Sequence, residues 1–311
     1  MIVVVAANPS LDRFLWVDRL RPGALHRVRR VESLPSGKGV NVGRILAGWG
    51  HGVVVTGFVA GQVGRDLEED ARRAGMEPRF LHLAGGETRI NTKVLDEEGR
   101  LTELNEPGPP LTPSDAGRLL EQVVDLARPS AGAPGWLVLS GSLPPGAPPA
   151  LYHDMTGAVR TVNPAVRVAV DTSGEPLRHA VAARPDLVKL NRAEFQELGT
   201  ARSPAALATL TRGRVVVTLG PEGAVFHRAG DPAPLWVKAD PVRVVNPNGC
   251  GDVLLAALLH GSTRGWDWEA TARFAVAAAT LTALHATLPR LAEDEVVRYG
   301  QRLAVSRTGP E

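Results

Sequence analysis

The sequence predicts an α/β fold: a mostly parallel central sheet flanked by helices, with a small β-strand lid. Three observations carry this. Runs rich in β-branched residues recur through the chain, and segments with helical spacing lie between them. Two stretches break that rhythm with alternating polar strand patterns. Strands that alternate with helices make a parallel sheet covered on both faces, because each crossover lays a helix on the sheet.

Strands are expected at 2–6, 53–59, 136–140, 167–171, 186–190 and 214–219, where Val, Ile and Leu dominate. Helices are expected at 42–50, 65–75, 114–128, 150–163 and 204–212. Residues 13–34 are the first interruption. Residues 88–106 are the second and read as a hairpin, with strands 89–96 and 100–105 about a turn at Glu97, Glu98 and Gly99. Together they form a discontinuous lid on a chain read as one domain, 1–311. The Pro-, Ala- and Gly-rich stretch 128–135 is a loop too short to link two domains. From Asp252 onward the pattern is almost wholly helical, and no internal repeat is present.

A chain of 311 residues buries a sizeable core without staples. Cys250 is the only cysteine, so no internal disulfide forms and a reducing compartment is expected. Lys and Arg number 35 against 33 Asp and Glu, a net charge of +2. The densest basic stretch, at Arg27, Arg29 and Arg30, is short and has no aromatic interleaving, so no nucleic-acid partner is expected. Residues 1–7 are apolar without a basic leader and read as a strand rather than a signal. The longest apolar runs, near 253–259 and 274–284, fall short of the ~20 residues that span a bilayer. The expectation is a cytoplasmic protein without a membrane partner. The histidines (His26, His51, His82, His153, His179, His227, His260 and His285) show no metal spacing and read as structural.

Three glycine-rich segments each admit two readings. Ser36-Gly37-Lys38-Gly39-Val40-Asn41-Val42-Gly43 is not a P-loop, since Gly39 follows Lys38 where Ser or Thr is required, and its third glycine falls one residue late for a dinucleotide fingerprint. It is either a tight turn before a helix or a place where backbone approaches a polar ligand. Val138-Leu139-Ser140-Gly141-Ser142-Leu143-Pro144-Pro145-Gly146 ends a strand, where open α/β sheets bind ligands; it is otherwise a simple turn. Asn246-Pro247-Asn248-Gly249-Cys250-Gly251-Asp252 precedes an apolar helix expected to start near Gly251. The unpaired N–H groups there can hold an anion. Asp252 is then either a first-turn acid or the base that phosphoryl transfer to a hydroxyl needs.

Taken in order, from Asn8-Pro9-Ser10-Leu11-Asp12 to Gly249-Cys250-Gly251-Asp252, these segments resemble the PfkB-type, ribokinase-like carbohydrate kinases over nearly the whole chain. Lys38 and Thr102-Glu103-Leu104-Asn105-Glu106-Pro107-Gly108-Pro109 are similar to the branch holding 1-phosphofructokinases and tagatose-6-phosphate kinases. The resemblance implies ATP-dependent phosphorylation of a ketohexose monophosphate to a bisphosphate. Fructose 1-phosphate is the first choice, with tagatose 6-phosphate and fructose 6-phosphate as alternatives. It implies that Asp12, Gly37, Lys38 and Asn41 hold the sugar, and that Ser140 and Gly141 help from the sheet edge. Arg89, Asn91 and Lys93, at alternate strand positions, would face the sugar and its phosphate. Otherwise they are a solvated hairpin face. Lys189, Asn191, Thr218, Gly220 and Gly223 would meet ATP, and Glu194 would organise Mg²⁺ through water, unless it is only a first-turn acid. Asp252 would be the base, with the N–H groups of Gly249, Cys250 and Gly251 as the anion hole. A homodimer through the lid is a further implication.

The chain departs from the family pattern at Ser36, Leu190, Asn248, Cys250 and Val253. Three rival readings remain at this level. Cys250 is a nucleophile, although its segment offers no histidine as base. The chain is a sugar-phosphate-binding regulator without chemistry. Or the Gly37 segment binds nicotinamide in a dehydrogenase.

Overall fold

Alternate residues of the first strand face two different layers. Ile2, Val4 and Ala6 join one buried cluster, and Val3 and Val5 join another on the opposite face. A strand apolar on both sides belongs in the middle of a covered parallel sheet. The computed structural model describes residues 1–130, 132 and 135–308. Residues 131, 133 and 134, within the loop expected at 128–135, lie outside the described residues.

The chain begins β1 (Ile2–Ala6), β2 (Ser10–Trp16), β3 (Arg30–Ser36), α1 (Lys38–Gly48), β4 (Val53–Val59) and α2 (Gly61–Arg73). Two short strands, β5 (Glu77–Pro78) and β6 (Leu81–His82), lead to β7 (Ile90–Leu95) and β8 (Leu101–Asn105). Next come α3 (Pro113–Ala127), β9 (Trp136–Ser140), α4 (Leu151–Val162), β10 (Arg167–Asp171), α5 (Gly174–Ala182) and β11 (Leu187–Asn191). They are followed by α6 (Arg192–Leu198), α7 (Pro204–Thr211), β12 (Arg214–Thr218), β13 (Ala224–Arg228) and β14 (Leu235–Val237). The chain closes with α8 (Cys250–Arg264), α9 (Trp268–Ala283), α10 (Glu293–Gly300) and β15 (Val305–Ser306).

The main sheet runs β15-β14-β13-β12-β11-β10-β9-β1-β4-β5, with β6 also on β4. From β12 to β5 it is parallel, and β13, β14 and β15 extend it antiparallel. Helices α1, α2, α8, α9 and α10 cover one face; α3 to α7 cover the other. A separate four-stranded sheet, β3-β2-β7-β8, is built from the two segments that break the α/β rhythm. No helix among the described residues is long and apolar enough to cross a membrane.

Helix α1 starts at Lys38, earlier than the expected 42, because the glycine segment is itself the first turn. A Cβ at Gly39 would lie 2.8 Å from that of Ala6, so the glycine lets the helix start directly on β1. Two helices escaped the sequence reading: α5, short and carrying Pro176, and α6, of seven residues. The antiparallel extension β13 to β15 also went unread. Strands β14 and β15 have three and two residues, too few for a spacing to show.

Candidate active site

Parallel pairing of β2 with β7 sets Asp12 beside Asn91 in register, so Asp12, Asn91 and Lys93 share one face of the lid. Lys93 Nζ donates to Asp12 Oδ2 at 2.7 Å. Asn91 Nδ2 donates to Ser10 Oγ at 3.1 Å and to Asp12 Oδ1 at 3.2 Å. The Asn91 side-chain oxygen, Oδ1, is buried without a donor. Arg89 precedes β7 and donates through Nε to the Asn8 carbonyl at 3.1 Å, and burial lowers its pKa.

These groups form one wall of a polar cleft of about 400 Å³ between the lid and the main sheet. The other wall carries Gly37, Lys38, Asn41, Asn246, Asn248, Gly249 and Asp252. Helix α8 begins at Cys250, after Gly249 in the left-handed region at φ +84°, with no side-chain cap. The first N–H to bond back is that of Val253, to the Gly249 carbonyl, which leaves the preceding amides free for an anion. Asp252 is buried in this first turn, and its Oδ2 accepts from Asn41 Nδ2 at 2.8 Å. Burial, and then the Asp171 carboxylate, push the Asp252 pKa up to about 6; the Asn41 bond and the Lys189 and Lys38 ammoniums oppose them.

A second, largely apolar cavity of about 460 Å³ lies across the helix start. Thr218, Gly220 and Gly223 line it, with Val244, Leu254, Val276 and Ala279. Its wall includes Cys250 and Gly251, whereas Gly249 and Asp252 face the polar cleft. One helix N-terminus therefore divides a polar cleft from an apolar cavity and presents free amides at the partition. That is the layout for passing an anionic group from a ligand on one side to a hydroxyl on the other.

The sequence matches the pfkB family of carbohydrate kinases over residues 2–288. It is 33% identical to the 1-phosphofructokinase of Rhodobacter capsulatus over 319 residues, covering 99% of this chain and 98% of that protein. It is 34% identical to the 1-phosphofructokinase of Xanthomonas campestris over 295 residues, covering 88% of each. The fold aligns with the structure of phosphofructokinase-2 from Escherichia coli in complex with fructose-6-phosphate, at TM-score 0.83 and 28% identity, covering 96% of this chain and 98% of that one. The chain belongs to the pfkB family of carbohydrate kinases.

Lys38 lines the same cleft as Asp12, Gly37 and Asn41. Its ammonium lies 3.0 Å from Asp171 Oδ1 and 3.5 Å from Glu194 Oε1. These carboxylates, Asp171 first, raise its pKa. Ser140 and Gly141 do not line the cleft. Ser140 is buried, and Gly141 N–H donates to the Asp171 carbonyl at 2.9 Å, so this loop backs Asp171 rather than the sugar. Lys189 is likewise absent from the apolar cavity. It is buried at 2.9 Å from Asp171 Oδ2, and a Cβ on Gly251 would lie 2.9 Å from its Nζ. Asn191 caps α6: its Oδ1 accepts from Glu194 N–H and Glu194 Oε2 accepts from Asn191 N–H, each at 2.8 Å. Glu194 is thus the first-turn acid of the plainer reading, yet its other oxygen faces Lys38.

Asp171 is the residue the sequence reading missed. It is fully buried, and although burial opposes its charge, Lys189 and Lys38 outweigh that and hold its pKa below the usual carboxylate value. A signal existed: an acid ends a strand buried on both faces, at the carboxyl edge where such sheets bind ligands. Asn246, Asn248, Glu103 and Asn105 also line the cleft without an assigned role. The nucleophile reading of Cys250 is not supported. Burial and the Asp252 charge push its thiol up to about 11, and its Sγ lies 3.9 Å from the Asn246 carbonyl.

Among the described residues no group of three or more His, Cys, Asp or Glu forms a metal cage. The donor set is one carboxylate, Glu194, whose Oε1 lies 3.5 Å from the Lys38 ammonium. A single hard oxygen suits Mg²⁺, which keeps most of its water and takes further oxygens from substrate phosphates.

Proposed function

We propose that this chain is an ATP-dependent kinase that converts fructose 1-phosphate to fructose 1,6-bisphosphate. The observation that carries the reaction type is the buried Asp252 beside free helix amides, at the partition of the polar cleft and the apolar cavity. The substrate choice rests on the curated 1-phosphofructokinases at 29–34% identity over most of the chain. In this reading Asp12, Asn41 and Asn91 hold sugar hydroxyls, and Arg89 and Lys93 hold the existing phosphate. The adenine lies in the apolar cavity near Thr218, Gly220 and Gly223.

Asp252 takes the proton from the attacking hydroxyl, and the amides of Gly249, Cys250 and Gly251 receive the charge of the transferring group. Lys38, fixed by Asp171 and Glu194, adds a cation next to that path. Mg²⁺ bound through Glu194 and ATP would neutralise phosphate charge. The lid excludes water, the competing acceptor. An ATP-consuming reaction of this kind belongs in the cytoplasm, which the lone thiol suits.

ADP release by the purified protein tests this, with ATP and Mg²⁺ against fructose 1-phosphate, fructose 6-phosphate, tagatose 6-phosphate, free fructose and ribose. A strong preference for fructose 1-phosphate is expected. Preference for fructose 6-phosphate or tagatose 6-phosphate would keep the chemistry and change the substrate. Turnover of free sugars alone would overturn the roles given to Arg89 and Lys93. Sugar-phosphate binding with no ADP release would identify a non-catalytic regulator instead. For the assembly, Val31 and Leu104 are 57% and 61% exposed on the lid, which supports a homodimer through that sheet. Light scattering is expected to give a dimer that Leu104→Lys dissociates; a wild-type monomer at micromolar concentration disposes of it.

A further inference from the structure

At the amino-terminal edge of the main sheet, two arginines share one hydroxyl. Arg167 opens β10 and Arg214 opens β12, and each donates through Nη1 to Ser262 Oγ, at 3.0 and 3.3 Å. Each guanidinium also lies over an indole. Arg167 is 4.4 Å from the Trp136 ring centre, and Arg214 is 5.0 Å from that of Trp268. The five side chains form one contiguous cluster. It stands at the opposite end of β10 from Asp171, and none of its members lines the polar cleft or the apolar cavity.

The cluster has too little negative charge. Neither Arg167 nor Arg214 makes an ion pair among the described residues. The carboxylates whose fields reach Arg214 are Asp186 and Asp231. Each is already paired with another arginine, Asp186 with Arg160 at 3.1 Å and Asp231 with Arg228 at 2.8 Å. Four guanidiniums therefore stand against two carboxylates. Helix α8 ends nearby, but a helix C-terminus supplies only about half an elementary charge. Its Gly261 and Ser262 carbonyls already accept from Trp266 and Gly265. Burial lowers the pKa of both arginines, and the Arg167 and Arg228 cations lower that of Arg214 further. Two more donors, Trp136 Nε1 and Trp268 Nε1, are buried without an acceptor.

We propose that this cluster binds a small oxyanion, of the class of inorganic phosphate or the phosphoryl group of a metabolite. Paired guanidinium forks match that geometry, and an anion there would supply the acceptors and the charge the cluster lacks. The site is independent of the reaction proposed for the cleft.

Titrating inorganic phosphate into the full-length protein at fixed ionic strength tests it. A saturable rise in Tm is expected. The double variant Arg167→Gln/Arg214→Gln should weaken that response by about tenfold or more while keeping a native circular dichroism spectrum. An equal response in this variant would assign phosphate elsewhere and overturn the site, as would no saturable response in the wild type. Ser262→Asp gives a check that does not depend on the double variant folding. It sets a carboxylate between the two guanidiniums, so it should raise Tm and abolish the phosphate response. A Ser262→Asp protein that is less stable and still responds to phosphate would also overturn the proposal.

Discussion

Burial and the Asp171 carboxylate push Asp252 up to about 6, while Asn41, Lys189 and Lys38 pull the other way. A base poised there is mostly ionised at neutral pH yet still basic enough to accept a proton. Asp252→Asn should therefore cut turnover by ~10²–10⁴-fold, the usual contribution of general-base catalysis, with sugar-phosphate binding retained. A variant with near-wild-type turnover would remove Asp252 from the mechanism. The same balance sets the acid limb of kcat/KM, which should rise through about pH 6. Asp171→Asn removes a like charge from Asp252, so that limb should move to lower pH. It also strips Lys38 and Lys189 of their shared carboxylate, and losing one partner of a buried pair costs ~3–5 kcal/mol. An acid limb that stays put, measured as a pH profile of kcat/KM, would deny the coupling.

At the level of elements, a side-chain hydrogen bond joins strand β8 to the loop before α8. Asn248 Nδ2 donates to Glu103 Oε1 on β8 at 3.1 Å, and Asn248 N–H donates to Asn246 Oδ1 at 2.9 Å. Asn248 is one of the positions at which the sequence departs from the family pattern, and here it ties strand β8 to the loop before α8. A partly exposed hydrogen bond of this kind contributes ~0.5–1.5 kcal/mol. Asn248→Ala should then raise KM for the sugar phosphate roughly 2- to 10-fold and change kcat little. Glu103→Gln, which keeps an acceptor oxygen, should lose much less. If kcat falls with KM unchanged, the pair acts on the chemistry rather than on lid closure.

For the molecule as a whole, two buried groups work in opposite directions with pH. Burial, chiefly, lowers the His260 pKa to about 4, with Arg264 and His51 adding to it and Glu293 opposing; burial also lowers that of His51. A neutral buried imidazole stabilises the fold fully above its unfolded pKa of ~6.5, and that stability is lost as pH falls toward about 4. Asp252, raised from 3.8 to about 6, does the reverse: its penalty is full above about pH 6 and is relieved as pH falls. The wild-type Tm should therefore vary little between pH 6 and 4, while Asp252→Asn, lacking the compensating group, should lose Tm steeply over that interval. Equal slopes for the two proteins by calorimetry would deny the compensation.

By itself the sequence determined the alternation of strands and helices, since burial on both faces of β1, β4, β9 and β10 forces continuous apolar runs that stand out from amphipathic helices. It also marked the strands of the separate four-stranded sheet, whose polar alternation has period two, and the Gly249–Asp252 helix start, whose glycines and acid are local features. The position of Asp171 under two lysines, the pairing of Lys38 with Asp171 and Glu194, and the withdrawal of Ser140 and Gly141 from the cleft came only from tertiary structure. So did the Glu103–Asn248 contact and the Arg167–Ser262–Arg214 cluster. The reason is common to all of them. These contacts join residues from separate strands and helices, and which long side chain meets which partner depends on how those elements pack, a relation no local pattern encodes.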